Sequence, residues 1–542
     1  MAKMIADGAL DAALNVVRGN CDRMVACSAQ PTTYTEAVST YALADVAMTV
    51  NTDYTLADGD IDGRKITVAA KSGVAVDAPG TINHVALVDT NTSTLTIVTT
   101  CVSQAVLVGG NVDFPAWEIT LADPYLFDGF GPLRTDPNNL HITVDGNYLP
   151  VLLMGDAAWS LTSQLSNADI DTYLTDRAGR GFNFILIDII EHLFADNAPS
   201  NIDNVSPWTG ATWTTPNNTF FNRVDYAVQK AWDLSMYVLL TPLYIGFSGT
   251  EEGWDTEIAA ASTGTMQTWG EYIGNRYKDF DNIIWCIGGD TDPTSFLTKV
   301  NAFVTGLRNY DTRHLITFHD GRGTQAGAHL SGATWLTLND TYSTDVATPS
   351  LANSAYTNST VLPFFQIEAY YEGEHSMTTQ GLRAQAYWTI LGGGVGHIFG
   401  NNPLWSLSYG GANWQAELNS AGSQSMTLCA ALFRAFAWYN LAPDSSHALV
   451  TSGYGTIGTS DFAGAAKDSG GHLAMIYMPS NRTMTVAMSL FAGTVTARWY
   501  DPTNGSYTAD AASPLANSST HNFSRSGANN AGAADWILVL EA

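Results

Sequence analysis

Hydrophobic and polar residues follow three different rhythms along this chain. Up to residue 124 the apolar positions recur at every second residue in short runs such as "KITVAAKSGVAV", "HVALVD", "TLTIVTTCV" and "WEITLADP", punctuated by "DG", "PG" and "GG". That is the period of antiparallel strands, so residues 1–124 read as a small, mainly-β domain preceded by one helix over roughly Ile5 to Val17. From residue 125 the order becomes apolar strand, polar tip, amphipathic helix. Eight strand candidates follow: "PVLLMGD" to Asp156, "FNFILID" to Asp188, "MYVLLTPLY" to Tyr244, "NIIWCIGGD" to Asp290, "HLITFHD" to Asp320, "TWLTLND" to Asp340, "PFFQIEAYYE" to Glu372 and "GHIFGNN" to Asn402. Helical patterns such as "FFNRVDYAVQKAWDL" and "TTQGLRAQAYWTIL" fill most gaps. Eight strands alternating with helices over about 320 residues is the arithmetic of an α/β fold, a (β/α)8 TIM barrel, across residues 125–445. The gap between the fifth and sixth strands, "GRGTQAGAHLSGA", has room for a stub of helix only. From 446 to 542 period two returns in "GGHLAMIYMP", "TMTVAMSLF", "TVTARWYDP" and "ADWILVLEA", which reads as a β-sandwich.

The barrel reading gives the acids meaning. Six of the eight strand tips end in one, and in a barrel the C-terminal tips converge on a single pocket. A pocket rich in carboxylates and aromatics, with no metal-ligand cluster in the sequence, suits glycoside hydrolysis, which needs one acid protonated and one ionised. The two best placed are Asp290, on strand four behind the glycine pair of "IGGD", and Glu368, on strand seven, opposite each other across a barrel. Asp156 and Asp188 end apolar strands and read either as hydroxyl-binding acids or as partners that orient Trp159 and His192. His319 and His397 lie at tips, where substrate binding competes with a hydrogen-bonded structural role. Trp405 and Tyr371 are expected to stack on sugar faces, with Trp159 beside them. Glu372 reads as an acid that fixes Tyr371, with direct sugar contact as the alternative. Asn339 and Tyr342 join His319 and Tyr371 as donors expected around Glu368. Asp292, in "DTDP" ahead of a helical pattern, reads as a helix cap, and Asp320 and Asp340 as turn residues.

Composition narrows the partners. Lys and Arg number 23 against 51 Asp and Glu, a formal net charge of −28. That field repels nucleic acid and anionic lipid, so a neutral glycan is expected and nucleic acid is not. The start, interrupted by acids, does not read as a signal peptide and none is expected; no apolar run is long enough to insert in a membrane, and the five cysteines are odd in number, scattered and expected to be reduced. No cofactor is expected.

From about Tyr125 onward the chain resembles the apiosidase-like glycoside hydrolases followed by a collagen-binding-type β domain. The phrases that carry it are "GDAAWSL", "RGFNFILID", "GNRYKDFDNIIWCIGGD", "LITFHDG", "IEAYYEG", "RAQAYWTILGGGVGHIFGNNPLW", "ARWYDPTNG" and "DWILVLEA". The resemblance implies a retaining mechanism with Asp290 as general acid/base and Glu368 as nucleophile. Ala369 stands where the family often has Pro. It implies a neutral or pectic-type surface or extracellular polysaccharide as substrate, with a catalytically silent glycan-binding adhesin as the alternative. The tail is expected to serve stability or glycan positioning, not collagen binding. Residues 1–124, through "CSAQPTTYTEA" and "VDFPAWEITLADP", resemble small structural proteins of tailed bacteriophages. That likeness implies an attachment module, other virion proteins as partners, assembly into a homo-oligomer, and a virion location after synthesis in a host cytoplasm.

Overall fold

A computed structural model describes residues 7–58, 64–121, 130–136, 138, 140–144, 150–247, 251–358 and 361–542. The chain separates into two compact units, Met1–Asp128 and Gly129–Ala542. The boundary expected between residues 124 and 125 lies outside the described residues.

In the first unit helix Asp7–Asn20 precedes three antiparallel sheets. The largest runs in the order Ala42–Ala47, Arg23–Cys27, Gly80–Asp89, Thr94–Val106. Alternation sends Met24, Ala26, Val85 and Leu87 into one core and Val25, Cys27, Ala86 and Val88 into another, so this sheet is covered on both faces.

The second unit holds the barrel. Its strands are β1 Leu153–Ala157, β2 Phe184–Asp188, β3 Tyr237–Leu243, β4 Ile283–Gly288, β5 Ile316–His319, β6 Asn339–Tyr342, β7 Phe364–Glu368 and β8 Gly396–Phe399. They pair in parallel from β1 through β5 and from β6 through β8 back to β1. Parallel strands covered on both faces need apolar side chains throughout, and every residue of β2, β3 and β4 is buried. Between β5 and β6 the ring is closed by local bonds instead of a ladder. The Ile316 carbonyl accepts from the Thr337 and Leu338 amides at 3.0 and 3.2 Å, and the Ile316 amide donates to Thr337 Oγ1 at 2.8 Å. The run "TWLTLND" therefore ends in a strand that begins only at Asn339, because its apolar part is used in this closure. The connection before it forms a two-residue strand, Thr324–Gln325, antiparallel to β6, and the expected stub of helix, Ala326–His329.

The tail consists of a six-stranded and a three-stranded antiparallel sheet around a core that includes Trp499, Trp536 and Phe523. It is fastened to the barrel helix Thr379–Leu391 by a buried ion pair, Arg383 donating to both oxygens of Asp535 at 2.8 and 2.7 Å. Tyr387 of that helix stacks on Tyr477 of the sandwich at 5.1 Å. All five cysteines are free, and four are buried. Asp292 caps the turn Pro293–Ser295 through the Thr294 amide.

Candidate active site

The carboxyl-terminal tips of the barrel strands surround a cavity of about 400 Å³. Of the residues expected there, Trp159, Asp188, Asp290, Tyr342, Glu368, Tyr371 and Trp405 line it. His319 stands directly behind, fully buried, with Nε2 2.9 Å from Glu368 Oε2.

Asp290 reaches the cavity because the chain turns sharply after β4. Gly289 adopts φ 137°, and a Cβ there would lie 2.2 Å from the Tyr244 ring, so a side chain at this position is excluded. Asp290 itself sits at φ 51°, a left-handed conformation that costs a non-glycine residue energy and is found where function demands it. Tyr244, at the end of β3, donates its hydroxyl to Asp290 Oδ2 at 3.0 Å. Across the cavity Tyr371 occupies room left by Gly400, whose Cβ would meet its ring at 2.1 Å, and its hydroxyl accepts from Trp159 Nε1 at 3.2 Å. Trp159 packs between Tyr244 and His319, with ring centroids 5.2 and 5.6 Å away.

The electrostatics centre on the acid pair. Carboxylate oxygens of Asp290 and Glu368 and a ring nitrogen of His319 lie within 4.8 Å of one another. Burial and the neighbouring Asp290 charge push the Glu368 carboxyl up, while hydrogen bonds from His319 and Tyr342 pull the other way. Burial alone would lower His319. The Glu368 hydrogen bond and the charges of Asp290, Glu368 and Asp340 outweigh it and push the imidazole up to about 9. His319 is thus an imidazolium at neutral pH and donates to Glu368. Tyr342 is held for the same task, because its oxygen accepts from Arg322 Nε and a terminal guanidinium nitrogen at 3.1 and 3.0 Å. The three groups have a spacing that a cation could bridge, but His319 Nε2 already serves Glu368.

Besides His319, four expected residues do not line the cavity. Asp156 points into the helical layer, where its Oδ2 accepts from the Tyr173 hydroxyl at 2.5 Å and from Arg177 at 3.1 Å. Glu372 likewise turns outward and accepts from Asn401 Nδ2 and the Gly422 amide, both at 2.9 Å. His397 pairs with Gln366 Oε1 at 2.8 Å, and burial pushes it down to about 3, leaving it neutral. Asn339 bonds Gln325 Oε1 at 2.7 Å and the Gly327 amide at 2.8 Å. Asp340 is not a turn residue but lies buried within β6, where burial pushes its carboxyl up to about 8. His192 sits apart from Trp159 and packs on Trp254 at 4.6 Å.

Several lining residues escaped sequence reasoning. Tyr244 and Glu191 had a signal, as an aromatic closing the third apolar run and as a second acid three residues past Asp188. Arg322, Phe194, Phe247, Glu252 and Glu374 lie on loops with no periodicity to mark them.

A profile described as "Apiosidase-like, catalytic domain" matches residues 138–440. A second, labelled as the collagen-binding domain of a collagenase, matches residues 457–541. No curated protein sequence matches. Among solved structures, one described as a glycoside hydrolase is similar at a TM-score of 0.66 and 20% identity, over 77% of this chain and 97% of its own. A glycoside hydrolase family 5 structure from Bacteroides vulgatus ATCC 8482 is similar at 0.67 and 19%, over 77% of this chain and 94% of its own. Those structural likenesses speak to the fold, a barrel with an appended β domain. The family profile spans more than half of the chain and takes in every residue of the acid pair's surroundings, and on that match the chain belongs to the apiosidase-like family.

Proposed function

We propose that the protein is a retaining glycoside hydrolase in which Glu368 is the nucleophile and Asp290 the general acid/base. The observation that carries this reading is the spacing of the acids. An oxygen of each carboxylate lies within 4.8 Å of one of the other, a close pairing that supports the roughly 5–5.5 Å carboxyl spacing of direct attack over the about 6.5–9.5 Å that inversion needs to admit a water. Glu368 attacks the anomeric carbon, the glycosidic C–O bond breaks, and Asp290 gives its proton to the departing oxygen. Water then attacks the same carbon, loses a proton to Asp290, and frees Glu368. The donors divide the roles. Glu368 receives the His319 imidazolium and the Tyr342 hydroxyl, which favours its charged form. Asp290, which accepts from the Tyr244 hydroxyl and lies beside Glu368, is the partner left to give and take the proton. Trp405 and Tyr371 are the stacking surfaces, and the substrate is a neutral or pectic-type surface or extracellular polysaccharide. Following the first-formed product by NMR tests the mechanism: its anomeric configuration matches that of the substrate, and inversion refutes it. A catalytically silent adhesin would not need the supported pair.

The N-terminal unit is proposed to carry the enzyme on a phage particle, bound to other virion proteins and self-associated. The two phrases shared with tailed-phage structural proteins support this. Recovery of the protein from its source free of any larger particle would remove that part of the proposal.

A further inference from the structure

Of the four acids that line the cavity and that the hydrolytic chemistry does not use, two are buried. Asp188 closes β2 and Glu191 follows it by one turn of chain, and each is 2% exposed. They lie on the buried side of the cavity, whereas Phe247, 56% exposed, lies at its rim. Both oxygens of Glu191 are held, Oε1 by the Ser160 hydroxyl at 2.8 Å and Oε2 by the Phe194 amide at 3.1 Å. Asp188 is different. Its Oδ1 accepts from the Ile190 amide at 3.3 Å, but its Oδ2 is buried without any hydrogen-bond partner. A buried, unsatisfied carboxyl oxygen is costly unless something supplies the missing partner, and Asp188 is among the residues that line the cavity.

Resting on the hydrolase reading above, we propose that Asp188, braced by Glu191, is a hydroxyl-recognition subsite for the terminal sugar, taking an uncharged glycone and rejecting one in which that hydroxyl is absent or replaced by a carboxylate. Burial pushes both carboxyls up, and the Glu191 charge adds to the rise at Asp188, which favours the uncharged form and lets the pair meet a hydroxyl as donor as well as acceptor. A sugar carboxylate would add a third acid to the same wall. A site built around a buried polar group discriminates strongly against an analogue that leaves that group unpaired. Glu191 acts here as a positioning residue, because it bonds Ser160 and the Phe194 amide and so fixes the segment that follows Asp188.

The test is a cycle between enzyme and substrate. Neutral pentosides and hexosides of 4-nitrophenol are screened with the full chain, and the fastest is compared with its monodeoxy analogues. In the wild type one position shows a loss of kcat/KM of roughly ten- to hundredfold. In Asp188→Ala the same deoxy analogue is handled no worse than the parent, and the isosteric Asp188→Asn keeps part of the discrimination. A merely structural role would slow all substrates alike and leave the ratio intact. Equal ratios in wild type and in either folded variant overturn the subsite, as does inhibition by galacturonic acid as strong as that by neutral monosaccharides. If EDTA abolishes the deoxy discrimination, the acids hold a cation and the proposal fails. Wild-type turnover with no position-specific penalty defeats this proposal alone, whereas no turnover or binding of any neutral glycoside defeats the hydrolase reading with it.

Discussion

Replacing Asp290 by alanine removes the acid/base and, with it, the charge that Asp290 places beside Glu368 when ionised. The two effects have opposite signs on different substrates. General acid catalysis is worth about a hundredfold to ten-thousandfold, and a natural glycan, whose leaving oxygen needs a proton, loses all of it. A 4-nitrophenyl glycoside needs no proton in its first step and loses little. The ratio of wild-type to variant kcat/KM should therefore differ between the two substrates by at least about a hundredfold. The second effect follows from the 4.8 Å bound on the carboxylate separation. At an effective dielectric constant of about 20, two charges that close repel by on the order of 3 kcal/mol. Since Asp290 is among the causes that hold Glu368 up, its removal lets Glu368 ionise at lower pH. The acid limb of kcat/KM on the aryl glycoside should then move to lower pH. Steady-state rates on both substrates across pH 4–8 measure both effects. Equal losses on the two substrates, or an acid limb that moves to higher pH, would refute the reasoning.

Tyr342→Phe removes a donor to Glu368 and leaves Arg322 without its phenolic acceptor; kcat should fall about ten- to hundredfold with the thermal midpoint little changed, and an unaltered kcat would count against the donor role. Asp340, held up to about 8 with Oδ2 unpartnered, binds a proton in the folded state that the unfolded chain releases near pH 4. Stability should thus decline as pH rises from about 4 through 8, and Asp340→Asn should flatten that decline in a series of thermal midpoints. Arg383→Met leaves Asp535 buried with only Tyr477 and Asn529 to support it; a cost of about 3–5 kcal/mol is expected, read as earlier thermal unfolding and faster proteolysis at the junction.

The barrel could be read from the chain because buried parallel strands leave continuous apolar runs that stop abruptly at polar tips. The same logic found Asp290 and Glu368. It failed wherever the direction of a side chain mattered, since successive residues at a strand end point alternately into the barrel and out to the helices. Asp156 and Asp188 look alike in sequence, yet one meets Arg177 and Tyr173 of the helical layer and the other the cavity. Glu372 lies four residues past the end of β7, where alternation no longer applies, and turns to the Gly422 amide. "TWLTLND" promised a strand ending at Asp340, but the closure at Ile316 takes its first half and carries the acid inside. Arg322 and Glu374 were out of reach because loops have no period, and their positions depend on contacts distant in sequence, such as Arg322 with Tyr342 and Glu374 with Trp405.

The most direct test of the central claim is to trap the intermediate. An activated 2-deoxy-2-fluoro glycoside of whichever neutral sugar is turned over should inactivate the enzyme with time, because fluorine slows release of the covalent adduct more than its formation. Intact-protein mass spectrometry should then show one added glycosyl group, and peptide mapping should place it on Glu368, with Glu368→Ala unlabelled. A label on Asp290 or elsewhere, or full turnover with no adduct at any time, would contradict the account.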